Sequence, residues 1–120
     1  MKNAKILIAE DNDLSRENLA ELLSLCGYDV KAVGDGKAAM DTLLEQRFNL
    51  IITDLKMPNV DGLELLKFAK ETNPDNIVIM ITGYGTVNTA VDAMKLGAFD
   101  YITKPLRDDL VKLTVARALS

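Results

Sequence analysis

Short apolar runs alternate along the chain with longer segments in which apolar residues recur at helical spacing. The five runs cover residues 6–9, 30–33, 50–52, 77–81 and 101–102. Between them, apolar side chains recur at i, i+3, i+4 and i+7 in residues 19–26 and again in 87–94, which predicts amphipathic helices. Another helix is predicted to begin at Asp61, because Glu64 follows at the spacing of a capping box.

The alternation of strands and helices predicts an α/β fold with a parallel sheet and right-handed crossovers. The first, third and fourth runs are continuously apolar, as in strands buried on both faces. The second contains Lys31 and follows Asp29, and the fifth is flanked by Asp100 and Thr103, so these two are predicted edges. The pattern favours a doubly wound (βα)5 architecture with a five-stranded, flavodoxin-like sheet of strand order 2-1-3-4-5.

Size and charge narrow the class of protein. With 120 residues, 48% of them apolar and 27% charged, residues 1–120 are expected to form one globular domain. The net charge of -4 gives no electrostatic footprint for nucleic acid or for an anionic membrane. If this protein controls DNA, we expect it to do so through another domain or partner. A free-standing domain and the regulatory domain of a longer protein both fit this range.

Cysteine and histidine usage adds two constraints. Cys26 is the only cysteine, so no disulfide can form within the chain, which fits a reducing, cytoplasmic compartment. The longest apolar runs are too short to span a membrane. The sequence contains no histidine, which excludes a histidine nucleophile, base or zinc ligand within the chain.

Polar side chains stand at the predicted carboxyl ends of four strands. Because such ends meet at one edge of a parallel sheet, we expect these side chains to converge. They are Glu10, Asp11, Asp54, Thr82 and Lys104. Each has a simpler reading alone: Asp11 or Thr82 could cap a helix, and Lys104 could be an ordinary surface lysine.

The chemistry of this set suits phosphoryl transfer. Neighbouring carboxylates resist ionising together unless a cation joins them, and carboxylate oxygens suit Mg²⁺. Asp54 could then attack phosphorus as a carboxylate nucleophile, while Lys104 and the Thr82 hydroxyl bind the other phosphoryl oxygens. The sequence therefore predicts an acidic metal and phosphate site.

Four stretches carry a resemblance to a known family. Residues 8–12, 53–62, 81–83 and 103–105 together resemble response-regulator receiver domains of two-component signalling. The resemblance implies that Asp54 accepts a phosphoryl group from a sensor histidine kinase or phosphotransfer protein. It also implies that Mg²⁺ is bound by Glu10, Asp11, Asp54 and the backbone carbonyl of Lys56. Glu10 stands where aspartate is commoner, and its longer side chain still supplies a carboxylate.

The resemblance also implies a conformational switch. Thr82 corresponds to the switch hydroxyl, Tyr101 to the switch aromatic, Lys104 to the phosphate-binding lysine, and Lys104–Pro105 to a cis peptide. Such a domain catalyses its own phosphotransfer and slow autodephosphorylation without being a turnover enzyme, and it controls an output domain or partner. Residues 81–101 are similar to receivers of nitrogen-regulatory-type transcription activators, so a transcriptional output is expected. Lys56 and Tyr84 are expected to flank the path of hydrolytic water.

The fifth predicted helix has more apolar surface than one buried stripe requires, so we expect a homodimer through helix 4, strand 5 and helix 5. Its apolar residues are Leu106, Leu110, Val111, Leu113, Val115, Ala116, Ala118 and Leu119.

Three alternatives have their own signatures. A phosphohydrolase of the haloacid-dehalogenase type needs a second acid two residues after the nucleophile, where this chain has Lys56. A flavodoxin needs a hydroxyl- and glycine-rich phosphate loop after strand 1, where this chain has acidic residues. A receiver that serves only as a binding scaffold would lack some of the pocket residues, and this chain has all of them.

Overall fold

The computed structural model describes residues 3–83 and 87–120. Strands and helices alternate throughout this part of the chain, as the apolar pattern predicts. The elements are β1 (Lys5–Ala9), α1 (Asp13–Leu25), β2 (Asp29–Val33), α2 (Gly36–Glu45), β3 (Leu50–Asp54), α3 (Gly62–Thr72), β4 (Val78–Thr82), α4 (Val87–Lys95), β5 (Asp100–Thr103) and α5 (Asp108–Ala118).

The sheet has the predicted order, β2-β1-β3-β4-β5, and every strand pair is parallel. Ile8 of β1 pairs with Ala32 of β2 on one side and with Ile52 of β3 on the other. Every residue of β3 and β4 is buried, whereas β2 and β5 are partly exposed. The predictions of buried central strands and two polar edges are therefore confirmed.

Successive side chains of the central strands point to opposite faces of the sheet and build two apolar cores. On one face, Ile6 and Ile8 pack with buried residues of α1 and α5, including Leu23 and Val115. On the other face, Leu7 belongs to a core that includes buried residues of α2, α3 and α4. Helices thus cover both faces, and the carboxyl ends of the strands are left free to form a site.

Local capping fixes the loops at this edge. Asp61 caps α3 by accepting a hydrogen bond from the Glu64 amide at 2.8 Å, which confirms the predicted helix start. Gly62 follows, and a Cβ there would stand 2.2 Å from the carbonyl oxygen of Asp54. Only glycine allows this close approach, so the start of α3 holds the backbone at the end of β3.

Helix α4 has the predicted position but presents its apolar stripe to solvent. Val87, Val91 and Met94 are 80%, 44% and 48% exposed, while Ala93 is buried. The helical period is therefore correct, and within residues 3–83 and 87–120 no other element covers the stripe. Among the described residues, no helix is long and apolar enough to cross a membrane.

Candidate functional site

A cleft of about 750 Å³ opens at the carboxyl edge of the sheet. It is formed by residues that follow β1, β3, β4 and β5, as expected for a parallel sheet of this topology. The lining residues are Glu10, Asp11, Asn12, Ser15, Asp54, Lys56, Met57, Gly83 and Lys104.

Asp54 is the last residue of β3 and lies at the base of this cleft with only 4% of its surface exposed. One carboxylate oxygen, Oδ1, accepts a hydrogen bond from the Lys56 amide at 3.3 Å. The other, Oδ2, accepts from the Lys104 ammonium at 2.8 Å. These two contacts and the rigid strand give the carboxylate a defined orientation towards the cleft.

Lys104 links the two sides of the site. Its Nζ donates to Glu10 Oε1 at 2.5 Å as well as to Asp54 Oδ2. Burial acts to lower the pKa of the Lys104 ammonium, but the hydrogen bonds to Asp54 and Glu10 outweigh it and raise that pKa overall. Lys104 therefore remains a cation when it contacts the two carboxylates.

Glu10 is buried, and both of its carboxylate oxygens have partners. Oε1 contacts Lys104, and Oε2 accepts a hydrogen bond from the Asn12 amide at 3.2 Å. Burial raises the pKa of the Glu10 carboxyl, while the Lys104 contact opposes the rise. The longer side chain at this position thus brings the carboxylate within reach of the lysine.

The acidic groups fit a divalent cation. One carboxylate oxygen from each of Glu10, Asp11 and Asp54 lies within 4.8 Å of the others. Lys104 offsets only one of the three negative charges, so a hard cation would relieve the remaining repulsion. Asp11 is exposed to the cleft and the other two are buried, which leaves coordination positions open to water and ligand oxygens. This donor set suits Mg²⁺.

The two predicted switch residues lie on β4 and β5. Thr82 ends β4 and is fully buried, and Gly83 rather than Thr82 lines the cleft surface. Tyr101 of β5 is half-buried, and its hydroxyl lies 3.0 Å from that of Thr89 on α4. The expected role of Tyr84 falls outside the described residues.

Three further features complete the description of this edge of the sheet. The Lys104–Pro105 bond is cis, as the family resemblance implies. Met57 lines the cleft, and Asn12 caps α1 by accepting from the Ser15 amide at 2.9 Å.

Arg16 was not predicted to belong to the site. Its guanidinium donates a hydrogen bond to the backbone carbonyl oxygen of Glu10 at 2.9 Å. A basic residue three positions after Asp13 indicates a helical ion pair, but no sequence pattern indicates a contact with the Glu10 carbonyl.

Comparison with known proteins agrees with this geometry. Residues 6–116 match the response regulator receiver domain family. The chain is 40% identical over 114 residues to the response regulator protein FleR of Pseudomonas aeruginosa, covering 95% of this chain and 24% of FleR. It is 38% identical over 118 residues to the transcriptional regulatory protein ZraR of Escherichia coli, covering 98% of this chain and 27% of ZraR.

Solved structures show the same fold. The beryllofluoride-activated NtrC4 receiver domain dimer superposes with a TM-score of 0.91 at 34% identity, covering 96% of this chain and 95% of that one. A receiver domain protein from Clostridium thermocellum gives a TM-score of 0.92 at 31% identity, with 97% and 94% covered. The chain spans about a quarter of the length of FleR and ZraR. It belongs to the response regulator receiver domain family.

Proposed function

We propose that residues 1–120 act as a phosphoryl-accepting receiver domain in which Asp54 is the acceptor. The observation that carries this proposal is the position of the Asp54 carboxylate, at the base of an open cleft between the Lys104 ammonium and the acidic pair Glu10 and Asp11. A purely structural role for this buried aspartate would be met by its pairing with Lys104, and it would not require two further carboxylates beside it.

The proposed step is an in-line displacement at phosphorus. An Asp54 oxygen forms a bond to phosphorus while the bond to the donor nitrogen of a phosphohistidine breaks, and that nitrogen keeps the electron pair. Lys104 is placed to bind a phosphoryl oxygen, because its Nζ already lies 2.8 Å from Asp54 Oδ2. The Asp54 oxygen that contacts the Lys56 amide is held in orientation during the attack.

Glu10, Asp11, Asp54 and the Lys56 carbonyl would hold Mg²⁺, which when bound neutralises charge on the phosphoryl oxygens. Phosphorylation and Mg²⁺ binding are typical of this family. The carboxylate oxygens within 4.8 Å of one another support this assignment. Loss of the ion would leave the acidic groups to repel an incoming phosphate.

The wider role follows from the family and its relatives. Receiver domains act with histidine kinases, so a sensor histidine kinase or phosphotransfer protein is the proposed phosphoryl donor, and the cytoplasm is the proposed location of this domain. The domain would phosphorylate and slowly dephosphorylate itself without turning over a substrate. Because relatives such as ZraR are transcriptional regulatory proteins, the proposed output is transcriptional, with DNA binding by another domain.

Phosphorylation is proposed to move Thr82 towards the phosphoryl group and to turn Tyr101 inwards. Tyr101 already connects β5 with α4 through Thr89, so its movement would reshape the surface made by α4, β5 and α5. That surface is the proposed homodimer interface.

The central experiment is incubation of the protein with acetyl phosphate and Mg²⁺, followed by intact-mass measurement. One phosphoryl group should be added to the parent and none to Asp54→Asn. Asp75→Asn, which changes an exposed acid at the other end of the sheet, is the matched control and should label like the parent. Undiminished labelling of Asp54→Asn would refute the assignment.

A further inference from the structure

Arg16 contacts both ends of the loop that carries the acidic pair. Its Nη1 donates to the Glu10 carbonyl oxygen at 2.9 Å, and its Nη2 donates to Asp13 Oδ1 at 2.6 Å. Asp11 lies between these two anchor points. The guanidinium therefore closes a short loop whose middle holds a proposed metal ligand.

The same backbone segment is held from its other side by β2. The Glu10 amide donates to the Val33 carbonyl at 3.1 Å, so the Glu10 peptide groups are fixed in both directions. Arg16 also lies close to Gly34, the residue that follows β2, since a Cβ at Gly34 would stand 3.3 Å from Arg16 Nη1. The Arg16 side chain is only 22% exposed, although α1 is a surface helix. Its place is thus defined by packing as well as by hydrogen bonds.

We propose that Arg16 is a positioning residue that holds the β1–α1 loop in the shape that presents Glu10 and Asp11 to the metal. The inference rests on the proposed Mg²⁺ site. Arg16 contacts the Glu10 backbone and not its carboxylate, so it acts through the loop rather than on the ion. A planar guanidinium can reach both acceptors at once, which a lysine ammonium on a flexible stem cannot reproduce.

The hydrogen bonds of Arg16 and its positive charge are expected to change Mg²⁺ affinity in opposite directions. A positive charge near a cation site disfavours Mg²⁺, so removal of the charge alone should tighten binding. Loss of the loop contacts should weaken binding, because the carboxylates would have to be ordered when the ion binds. The two effects can therefore be separated by variants that keep or remove the charge.

The test is calorimetric titration of metal-free protein with Mg²⁺ for the parent, Arg16→Lys and Arg16→Met. Arg16→Lys keeps the charge and loses the double contact, so its affinity should fall roughly tenfold. Arg16→Met should also bind more weakly, but by a smaller factor, because the lost charge partly compensates. Amide hydrogen exchange of residues 10–13 in EDTA should be faster in both variants.

Arg47→Met is the matched control, since it removes the same charge from an exposed residue just before β3, at the opposite end of the sheet. It should bind Mg²⁺ like the parent, and thermal unfolding in EDTA will establish that each variant is folded at the titration temperature. Unchanged affinity in Arg16→Lys, or tighter binding in Arg16→Met, would overturn the positioning role. A parent that does not bind Mg²⁺ would instead refute the proposed metal site, and the inference with it.

Discussion

At the scale of single residues, Glu10 shows how burial and metal binding oppose each other. Burial raises the pKa of its carboxyl above the ordinary value of 4.5, so the proton is retained to a higher pH than in the unfolded chain. In the metal-free protein, the stability contributed by this group is complete below the ordinary pKa and is lost as the pH rises through the raised pKa. A bound cation favours the opposite, ionised form.

Mg²⁺ affinity should therefore fall as the pH is lowered from neutral towards the raised pKa of Glu10, because protons compete with the ion for this carboxylate. Titrations at several pH values above 4.5 will measure the slope. Glu10→Gln cannot titrate, so its weaker binding should depend less on pH over the same interval. If the Mg²⁺ affinity of parent and variant had the same pH dependence, protonation of Glu10 would not be what opposes Mg²⁺ binding.

The sequence could place the site residues but not their contacts. Strand periodicity puts Asp54 and Lys104 at one edge, because carboxyl ends of parallel strands meet there. That Lys104 joins Glu10 to Asp54, or that Arg16 holds the Glu10 backbone, depends on side-chain conformations set by packing. Long, flexible side chains choose partners that residue spacing does not specify.

At the scale of elements, the hydrogen bond between Tyr101 and Thr89 joins β5 to α4. A hydrogen bond of this kind contributes about 1 kcal/mol to stability. The proposed inward turn of Tyr101 would break it, so the bond favours the conformation described here. We predict that Tyr101→Phe and Thr89→Val each lower the free energy of unfolding in the unphosphorylated protein.

Urea denaturation of the two single variants and the double variant will measure the coupling. If the two hydroxyl groups stabilise the fold by contacting each other, the single losses in free energy of unfolding should not add. The double variant should lose about 0.5–1 kcal/mol less than the sum of the two single losses. Strict additivity would mean that the contact does not link the two elements. The parent protein and each single variant complete the cycle and serve as its internal controls.

The apolar pattern predicts the elements more reliably than it predicts what each helix packs against. Residues 19–26 give a helix whose Leu19 and Leu23 are buried, as the period indicates. The same spacing in α4 gives a helix whose Val91 and Met94 are half-exposed, because its contact with the sheet is made through Ala93. Periodicity reports an apolar face, and only the packing shows whether this chain covers it.

At the scale of the whole molecule, two exposed apolar stripes flank the edge strand β5. On α4 the stripe comprises Val87, Val91 and Met94. On α5, Leu110 and Leu113 are 40% and 55% exposed, whereas Val111, Val115 and Ala118 are buried. The predicted excess of apolar surface on α5 is thus limited to a few positions.

Charged groups accompany these stripes. Arg117 stands one and two helical turns from Leu113 and Leu110, stacks 5.8 Å from the centre of the Phe99 ring and lies 3.8 Å from the Asp100 carboxylate. A surface that carries apolar residues with charges of both signs can pair with its own copy about a two-fold axis. The solved structure of the beryllofluoride-activated NtrC4 receiver domain, to which this chain is similar, is a dimer.

We therefore predict that acetyl phosphate and Mg²⁺ convert the protein from monomer to dimer, and that Leu113→Glu prevents this while leaving phosphorylation intact. The introduced charge would be desolvated in the interface but remains solvated in the monomer, so it should weaken association without unfolding the protein. Light scattering after gel filtration will measure the mass, and intact-mass measurement will establish equal phosphorylation. Leu25→Glu changes an 81% exposed leucine at the end of α1 and should dimerise like the parent. A phosphorylated parent that stays monomeric at high concentration, or a Leu113→Glu variant that still dimerises, would contradict the role of this face.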